Sequence, residues 1–358
     1  MGVTGDPPPA SASAAELVLH RLDQSPRVSL AILPTALQEA PRLARLLGVR
    51  RLFIKRDDLT GLGVGGNKVR TLELTVADAL AGGVDLLVGA AFVHSNHCRQ
   101  LAAAGARLGL DVRLILRRRE VEPLDWQGNL LLDELFGAEI EFVAAPDVDA
   151  LLTIAQGRIE DLRTSGRRAA LLTLGPRSKL LGAIAAMRTL LEIRTQLGAA
   201  GETGCRIYVA SAGPTYTGLL AAARFIGDTT EIRGISNQSD RATHLASLTA
   251  MLPEIESLLG LTIPAGPPAI DIDDRFLGLG YGLASDDGLA AIRTAAQLDG
   301  LVLDPIYTGK GMAGLLAHAR EGRLADDDVV VFLHTGGIPA LFTHAAAVHG
   351  HIQGLPVS

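Results

Sequence analysis

Four glycines within six residues, Gly61, Gly63, Gly65 and Gly66, run into Asn67 and Lys68 in "GLGVGGNKVRTLEL" (61–74). Glycine clusters allow positive φ and let backbone come close to a ligand. A lysine at the end of such a loop offers an amine, which attacks carbonyl groups once a desolvated pocket favours its neutral form. The run also satisfies G-x-G-x-x-G, yet a dinucleotide cradle needs strand, tight turn and helix in immediate succession. Here "DDLTGLG" follows the strand pattern "RLFIKR" (51–56) and loosens that fit. A P-loop requires Ser or Thr after its lysine, and this chain has Val69. Taken alone, the loop reads as a turn with a solvated lysine.

Other stretches change that weighing. "AAFVHSNHCRQLAAAGARLG" (90–109) puts Ser95, Asn96 and His97 between a strand pattern and a helix pattern. That is the carboxyl edge of a parallel sheet, where ligands bind, and equally the place for an ordinary N-cap. His94 and His97 have no adequate third ligand nearby, which argues against a metal. No G-x-S-x-G surrounds Ser95, which argues against a hydrolase nucleophile. "VASAGPTYTGLLAAA" (209–223) is a second small-residue loop between strand and helix, carrying Gly213 and Thr215. Its backbone amides and helix N-terminus suit a phosphate. "LDPIYTGKGMAGLL" (303–316) and "FLHTGGIPALF" (332–342) are two more loops rich in glycine and hydroxyls.

The elements that must position these residues alternate along the chain. Strand patterns at "RLFIKR", "DLLVGA", "DVRLILR", "EIEFVA", "ALLTLG", "CRIYVASAG", "EIRGIS" and "VVVFLHTGG" are separated by helical ones, among them 69–83 and 148–164. Continuous apolar strands between helices imply α/β architecture, with parallel sheets covered on both faces. So many units exceed one ordinary sheet, and 358 residues at 48% hydrophobic are ample for two domains. A net charge of −6 gives no reason to expect nucleic acid. Cys98 and Cys205 are too few for a disulfide framework. No apolar run reaches transmembrane length. "MGVTGDPPPASASAAE" lacks the basic and apolar segments of a secretory signal and reads as a mobile arm over 1–22, with a cytoplasmic location as the expectation.

In combination and in this order, "KRDDLTGLGVGGNKVRTLE", "SNHCRQLAA" and "LDPIYTGKGMAGL" resemble the 1-aminocyclopropane-1-carboxylate deaminase/D-cysteine desulfhydrase family, over about residues 33–342. The resemblance implies a pyridoxal 5'-phosphate enzyme with the tryptophan-synthase β-like fold, acting on a small amino acid as a homodimer. It makes Lys68 the lysine that forms the Schiff base and later takes the Cα proton. It implies that Asn96 bonds the cofactor's 3′ oxygen and that Gly213 and Thr215 line the phosphate cup. Ser95, with Asn96 and His97, would contact the substrate, and Tyr281 in "GLGYG" and Tyr307 match family tyrosines on the substrate side. It also suggests a small domain at 72–174, inserted into a large one made of 23–71 and 175–358, with the cofactor between them.

Thr308 stands where the family places the partner of the pyridine nitrogen. Ring-opening deaminases have glutamate there, which keeps that nitrogen protonated and deepens the electron sink. A neutral hydroxyl gives a weaker sink, which favours prompt loss of a good β-leaving group. The expectation is α,β-elimination, foremost D-cysteine to pyruvate, ammonia and sulfide. Five residues depart from the family pattern: Thr71 in place of a second lysine, His94 where glutamine is usual, Pro214 in the phosphate loop, and the basic pair Arg177 and Lys179. The pair leaves open an anionic substrate such as L-cysteate, or plain solvation. Ring opening of 1-aminocyclopropane-1-carboxylate also stays open, as does a non-catalytic nucleotide-binding α/β protein.

Overall fold

The computed structural model describes residues 12–118, 126–173 and 175–354. Its elements run α1 (Ala14–Asp23), β1 (Leu37–Glu39), α2 (Pro41–Leu47), β2 (Arg51–Arg56), α3 (Lys68–Ala81), β3 (Leu86–Phe92), α4 (Asn96–Leu108), β4 (Asp111–Arg117), α5 (Gly128–Leu135), β5 (Glu139–Val143), α6 (Val148–Thr164) and β6 (Ala169–Leu171). They continue through α7 (Pro176–Ala199), β7 (Arg206–Val209), α8 (Pro214–Phe225), β8 (Glu231–Ile235), α9 (Arg241–Leu259), β9 (Asp271–Asp273), α10 (Asp286–Asp299), α11 (Thr308–Arg320), β10 (Val329–His334), α12 (Pro339–Thr343) and α13 (Ala345–Ile352). The chain divides into two compact units. The smaller holds Pro26–Ile32 and Thr60–Leu181, and the larger holds the chain up to Ser25, Leu33–Leu59 and everything from Gly182 onward.

The smaller unit is built on a four-stranded parallel sheet in the order β5-β4-β3-β6. One face buries Val69, Leu72 and Val76 of α3 with Cys98, Leu101 and Ala102 of α4. Those positions recur at the 3.6-residue period, so each helix turns one stripe to the sheet. The other face is covered by Leu151, Ala155, Ile159 and Leu162 of α6. Residues 26–32 belong to this unit for a specific reason. Glu73, buried on α3, accepts from the backbone N–H of Leu30 at 3.0 Å and of Ala31 at 2.9 Å, and pairs with Arg27 at 2.5 Å.

The larger unit carries a six-stranded sheet, β1-β2-β10-β7-β8-β9. All neighbours are parallel except β1, a three-residue edge strand antiparallel to β2. The two ends of the chain meet here, since β2 pairs with β10 from Arg51↔Val329 to Arg56↔His334. Leu52 and Ile54 of β2, Val330 and Phe332 of β10 and Met312 and Leu315 of α11 share its core. Parallel strands buried on both faces read as continuous apolar runs, and the all-buried β10 is the case in point.

The mobile arm was expected over 1–22, and part of that span is described. Residues 1–11 lie outside the described residues, and α1 begins at Ala14 behind a capping box in which Ser13 and Glu16 bond each other's backbone N–H. Val18 and Leu22 of α1 are buried. The Ser-x-x-Glu spacing was present in the sequence, but alanine-rich composition masked it. Among the described residues, no helix is long and apolar enough to cross a membrane.

Candidate active site

Lys68 is the first residue of α3, and Asn67 is its N-cap. The loop before it takes left-handed backbone at four successive residues: φ is 53° at Gly63, 67° at Val64, 67° at Gly65 and 128° at Gly66. Thr60 closes the turn, donating its hydroxyl to Gly66 O at 2.9 Å and accepting the Gly66 N–H at 2.8 Å. Burial pulls the pKa of the Lys68 ammonium below its usual value. The positive end of the α3 dipole acts in the same direction. Both effects shift the amine toward its neutral, nucleophilic form.

Ser95, Asn96 and His97 follow β3, as their spacing predicts. Ser95 is the N-cap of α4, and its hydroxyl accepts the Cys98 N–H at 3.3 Å. It is therefore a cap as well as a candidate for substrate contact. Asn129, buried at the start of α5, donates to His94 O at 2.7 Å and to Asn96 Oδ1 at 2.9 Å. Once its oxygen is occupied, the Asn96 amide presents its NH2 group as a donor. Burial, helped by the nearby Lys68 charge, drops the His97 pKa to about 3, so its imidazole is neutral. Lys68 and His97 are thus brought close together in the smaller unit.

The larger unit carries the remaining candidates. Gly213 is the N-cap of α8 and Pro214 its first residue. Proline suits that position because its missing N–H is one the helix cannot satisfy internally. Thr215 follows on the same first turn, and Thr217 returns its N–H to Gly213 O at 3.0 Å. Tyr281 and Tyr307 are hydrogen-bonded to each other through their hydroxyls, with ring centroids 6.0 Å apart in an edge-on arrangement. The Tyr281 loop is tied down by Lys310 of α11, whose ammonium donates to Leu277 O at 2.8 Å and Gly280 O at 3.0 Å. Burial lowers the Lys310 pKa to about 8, against the opposing pull of Asp304.

Thr308 is fully buried at the start of α11. Its hydroxyl donates to Asp304 Oδ1 at 2.6 Å and accepts the Asp304 N–H at 2.9 Å. The Asp304 carboxylate also takes the N–H groups of Ile306, Tyr307 and Thr308 at 2.8–2.9 Å, capping the helix. While these bonds stand, the Thr308 proton is committed to Asp304. Arg177, considered above as a substrate anchor, instead forms a two-pronged ion pair with Asp78, its nearer contact at 2.6 Å. Lys179 is exposed. A cleft of about 330 Å³ at the amino ends of β7, β8 and β10 holds no such chemistry. Its Arg50 and Arg206 are already paired with Glu202, Glu231 and Asp328.

Sequence reasoning missed Arg99, Gln100, Asn129, Asp304 and Lys310. Arg99 and Gln100 lie within the "SNHCRQLAA" motif and Asp304 and Lys310 within "LDPIYTGKGMAGL", so their company was the available signal. Nothing local marked Asn129. In the smaller unit a desolvated amine suits an aldehyde and the Asn96 NH2 an oxyanion, and in the larger a helix N-terminus at Gly213–Thr215 suits a phosphate, all groups that pyridoxal phosphate carries.

Comparison with known proteins agrees. Residues 28–336 match the family described as pyridoxal-phosphate dependent enzyme. The chain is 37% identical over 338 residues to the D-cysteine desulfhydrase of Salmonella newport (strain SL254), covering 93% of this chain and 99% of that one. The same figures hold for the D-cysteine desulfhydrase of Salmonella gallinarum. Among solved structures, a crystal structure of an ACC deaminase homologue superimposes with a TM-score of 0.84 at 33% identity, covering 93% of this chain and 98% of that one. Diaminopropionate ammonia lyase from Escherichia coli shares the fold at 16% identity with a TM-score of 0.67, covering 98% and 96%. The chain belongs to the pyridoxal-phosphate-dependent enzymes of this fold.

Proposed function

We propose that this pyridoxal-phosphate-dependent enzyme is a carbon–sulfur lyase that removes the thiol from the β-carbon of D-cysteine, giving pyruvate, ammonia and sulfide. Lys68, Asn96, Gly213 and Thr215 would hold the cofactor, and Thr308 would meet its ring nitrogen only by turning its hydroxyl away from Asp304. When bound, the cofactor supplies the electron sink for the carbanion at Cα. Lys68 then takes the Cα proton, for which a neutral amine is required. The Tyr281–Tyr307 pair offers a hydroxyl proton to the departing sulfur, and Ser95 and His97 contact the substrate. Water completes the conversion to the keto acid. The observation that carries this reading is the Lys68 amine, desolvated at the first turn of α3.

Threonine rather than glutamate at position 308 favours elimination over ring opening. The pairing of Arg177 with Asp78 removes the motive for an anionic substrate. A cytoplasmic homodimer is inferred from the family resemblance alone. Purified protein loaded with pyridoxal phosphate is offered D-cysteine, L-cysteine, L-cysteate, β-chloro-D-alanine and 1-aminocyclopropane-1-carboxylate, and keto-acid release is followed. The expected result is pyruvate and sulfide from D-cysteine. Lys68→Ala should abolish both turnover and the visible absorption of lysine-bound cofactor. Dominant 2-oxobutyrate from the cyclopropane substrate would overturn the proposal.

A further inference from the structure

We propose that Arg99 is a positioning residue for Lys68: from α4 its guanidinium clamps the carbonyls of Gly63 and Gly65 and so holds the loop that delivers the lysine. The consequence for the cofactor rests on the function proposed above, but the clamp itself does not.

Three observations carry the inference. First, Arg99 is fully buried, and its donors go to the loop: Nη1 to Gly63 O, and Nη2 to Gly65 O at 3.1 Å. Gln100 adds a third bond, to Gly65 O at 2.7 Å. Second, the loop so held is one that would not keep its shape unaided. Val64 is the one non-glycine with positive φ among the described residues. A β-branched residue there is a true outlier. Its side chain is 50% exposed, so packing does not compensate for the strained backbone. Such strain persists only where the surroundings over-determine it. Third, Arg99 is not simply one half of a buried ion pair. Asp133 of α5 is fully buried nearby, but burial raises its own pKa to about 8 and neither of its oxygens accepts a hydrogen bond. The guanidinium directs Nη1 and Nη2 at the two carbonyls and makes no hydrogen bond to Asp133. Burial disfavours the guanidinium charge, so a merely space-filling residue here would be apolar.

Contact at Gly63 makes the docking close as well as polar. A Cβ on Gly63 would meet the Ala103 Cβ of α4 at 2.7 Å. Two carbonyl anchors on the rigid helix therefore fix the backbone a few residues before Lys68.

The test removes both buried ionisable groups together, since Arg99→Met alone would leave the Asp133 carboxyl without a neighbouring cation. Cofactor-free Arg99→Met/Asp133→Asn protein is compared with the parent by amide hydrogen exchange over the segment containing Gly65, Gly66 and Val69. Exchange there should quicken roughly tenfold, the loss expected for a charge-assisted hydrogen bond. In titrations followed by protein fluorescence, pyridoxal phosphate should bind roughly tenfold more weakly. Adding Val64→Gly, which relieves the left-handed strain without touching Arg99, should restore part of both losses, and in the parent it should slow exchange as well. A purely structural Arg99 would lower the melting temperature with no such rescue. A folded double variant with parental exchange in this segment overturns the clamp. If the double variant does not fold, Arg99→Lys keeps the positive charge but loses the two-pronged grip on the carbonyls and carries the same test, with unchanged exchange again the overturning result. Failure of the parent to bind pyridoxal phosphate would instead sink the proposed function, because the exchange arm needs no cofactor.

Discussion

His97 and Asn129 show how a residue's neighbours, more than its type, set its chemistry. Burial and the Lys68 charge keep His97 neutral, with its pKa near 3 against an ordinary 6.5. An unfolded chain binds that proton more readily, so this contribution is fully present above about pH 6.5 and is lost as pH falls toward about 3. His97→Gln removes the titration. The urea midpoint of the cofactor-free variant should therefore fall less than the parent's between about pH 7 and pH 5; an equal fall would place His97 in water. Asn129 acts one step back, holding Asn96 by its oxygen at 2.9 Å. Asn129→Ala frees that amide to rotate and should weaken pyridoxal phosphate binding by roughly tenfold, read by cofactor titration. Unchanged affinity would mean that Asn96 is oriented by something else.

At the scale of elements, α11 carries more than its length suggests. Its first turn holds Thr308, its buried cap is Asp304, and its Lys310 reaches back to the Tyr281 loop. Read from sequence alone, Thr308→Glu looks like a simple way to strengthen the electron sink. The structure changes that expectation, because a glutamate would set a second carboxylate against Asp304 in a place no solvent reaches. Like charges at such a distance cannot both ionise without large cost. Thr308→Glu should lose about 2 kcal/mol or more of stability at neutral pH and regain part of it in acid, as protonation removes one charge. Denaturant unfolding at the two pH values measures this, and a Thr308→Glu protein of parental stability would show that the threonine hydroxyl is not committed to Asp304.

For the molecule as a whole, cofactor binding and folding are one linked equilibrium. A ligand present at about 100 times its dissociation constant and bound only by the native state adds about 2.7 kcal/mol. Thermal unfolding should move upward with added pyridoxal phosphate, and the shift should shrink in Lys68→Ala. No shift in the parent would show that the native chain does not bind the cofactor preferentially.

The strand at 51–56, the strand at 111–117 and the helix at 148–164 were legible in the sequence because local apolar runs and periods encode them directly. The candidate lysine, the S-N-H turn and the tyrosines were legible because their motifs are contiguous. Three things were not. The three-residue strands β1 and β9 are too short to carry a period. The grouping of 26–32 with 60–181 rests on Glu73 and the core around Leu30. The partners of the site residues lie far along the chain: Arg99 from Gly63, Asn129 from Asn96, Lys310 from Leu277. Sequence patterns record what each segment buries, whereas the hydrogen bonds that hold a strained loop or orient Asn96 depend on which distant segments each unit packs together. By itself, then, the sequence determined the α/β architecture and the reactive residue types. The tertiary structure alone decided that Lys68 is desolvated, that Thr308 is bound to Asp304 and that Arg177 is paired with Asp78, since burial and pairing are properties of the folded chain.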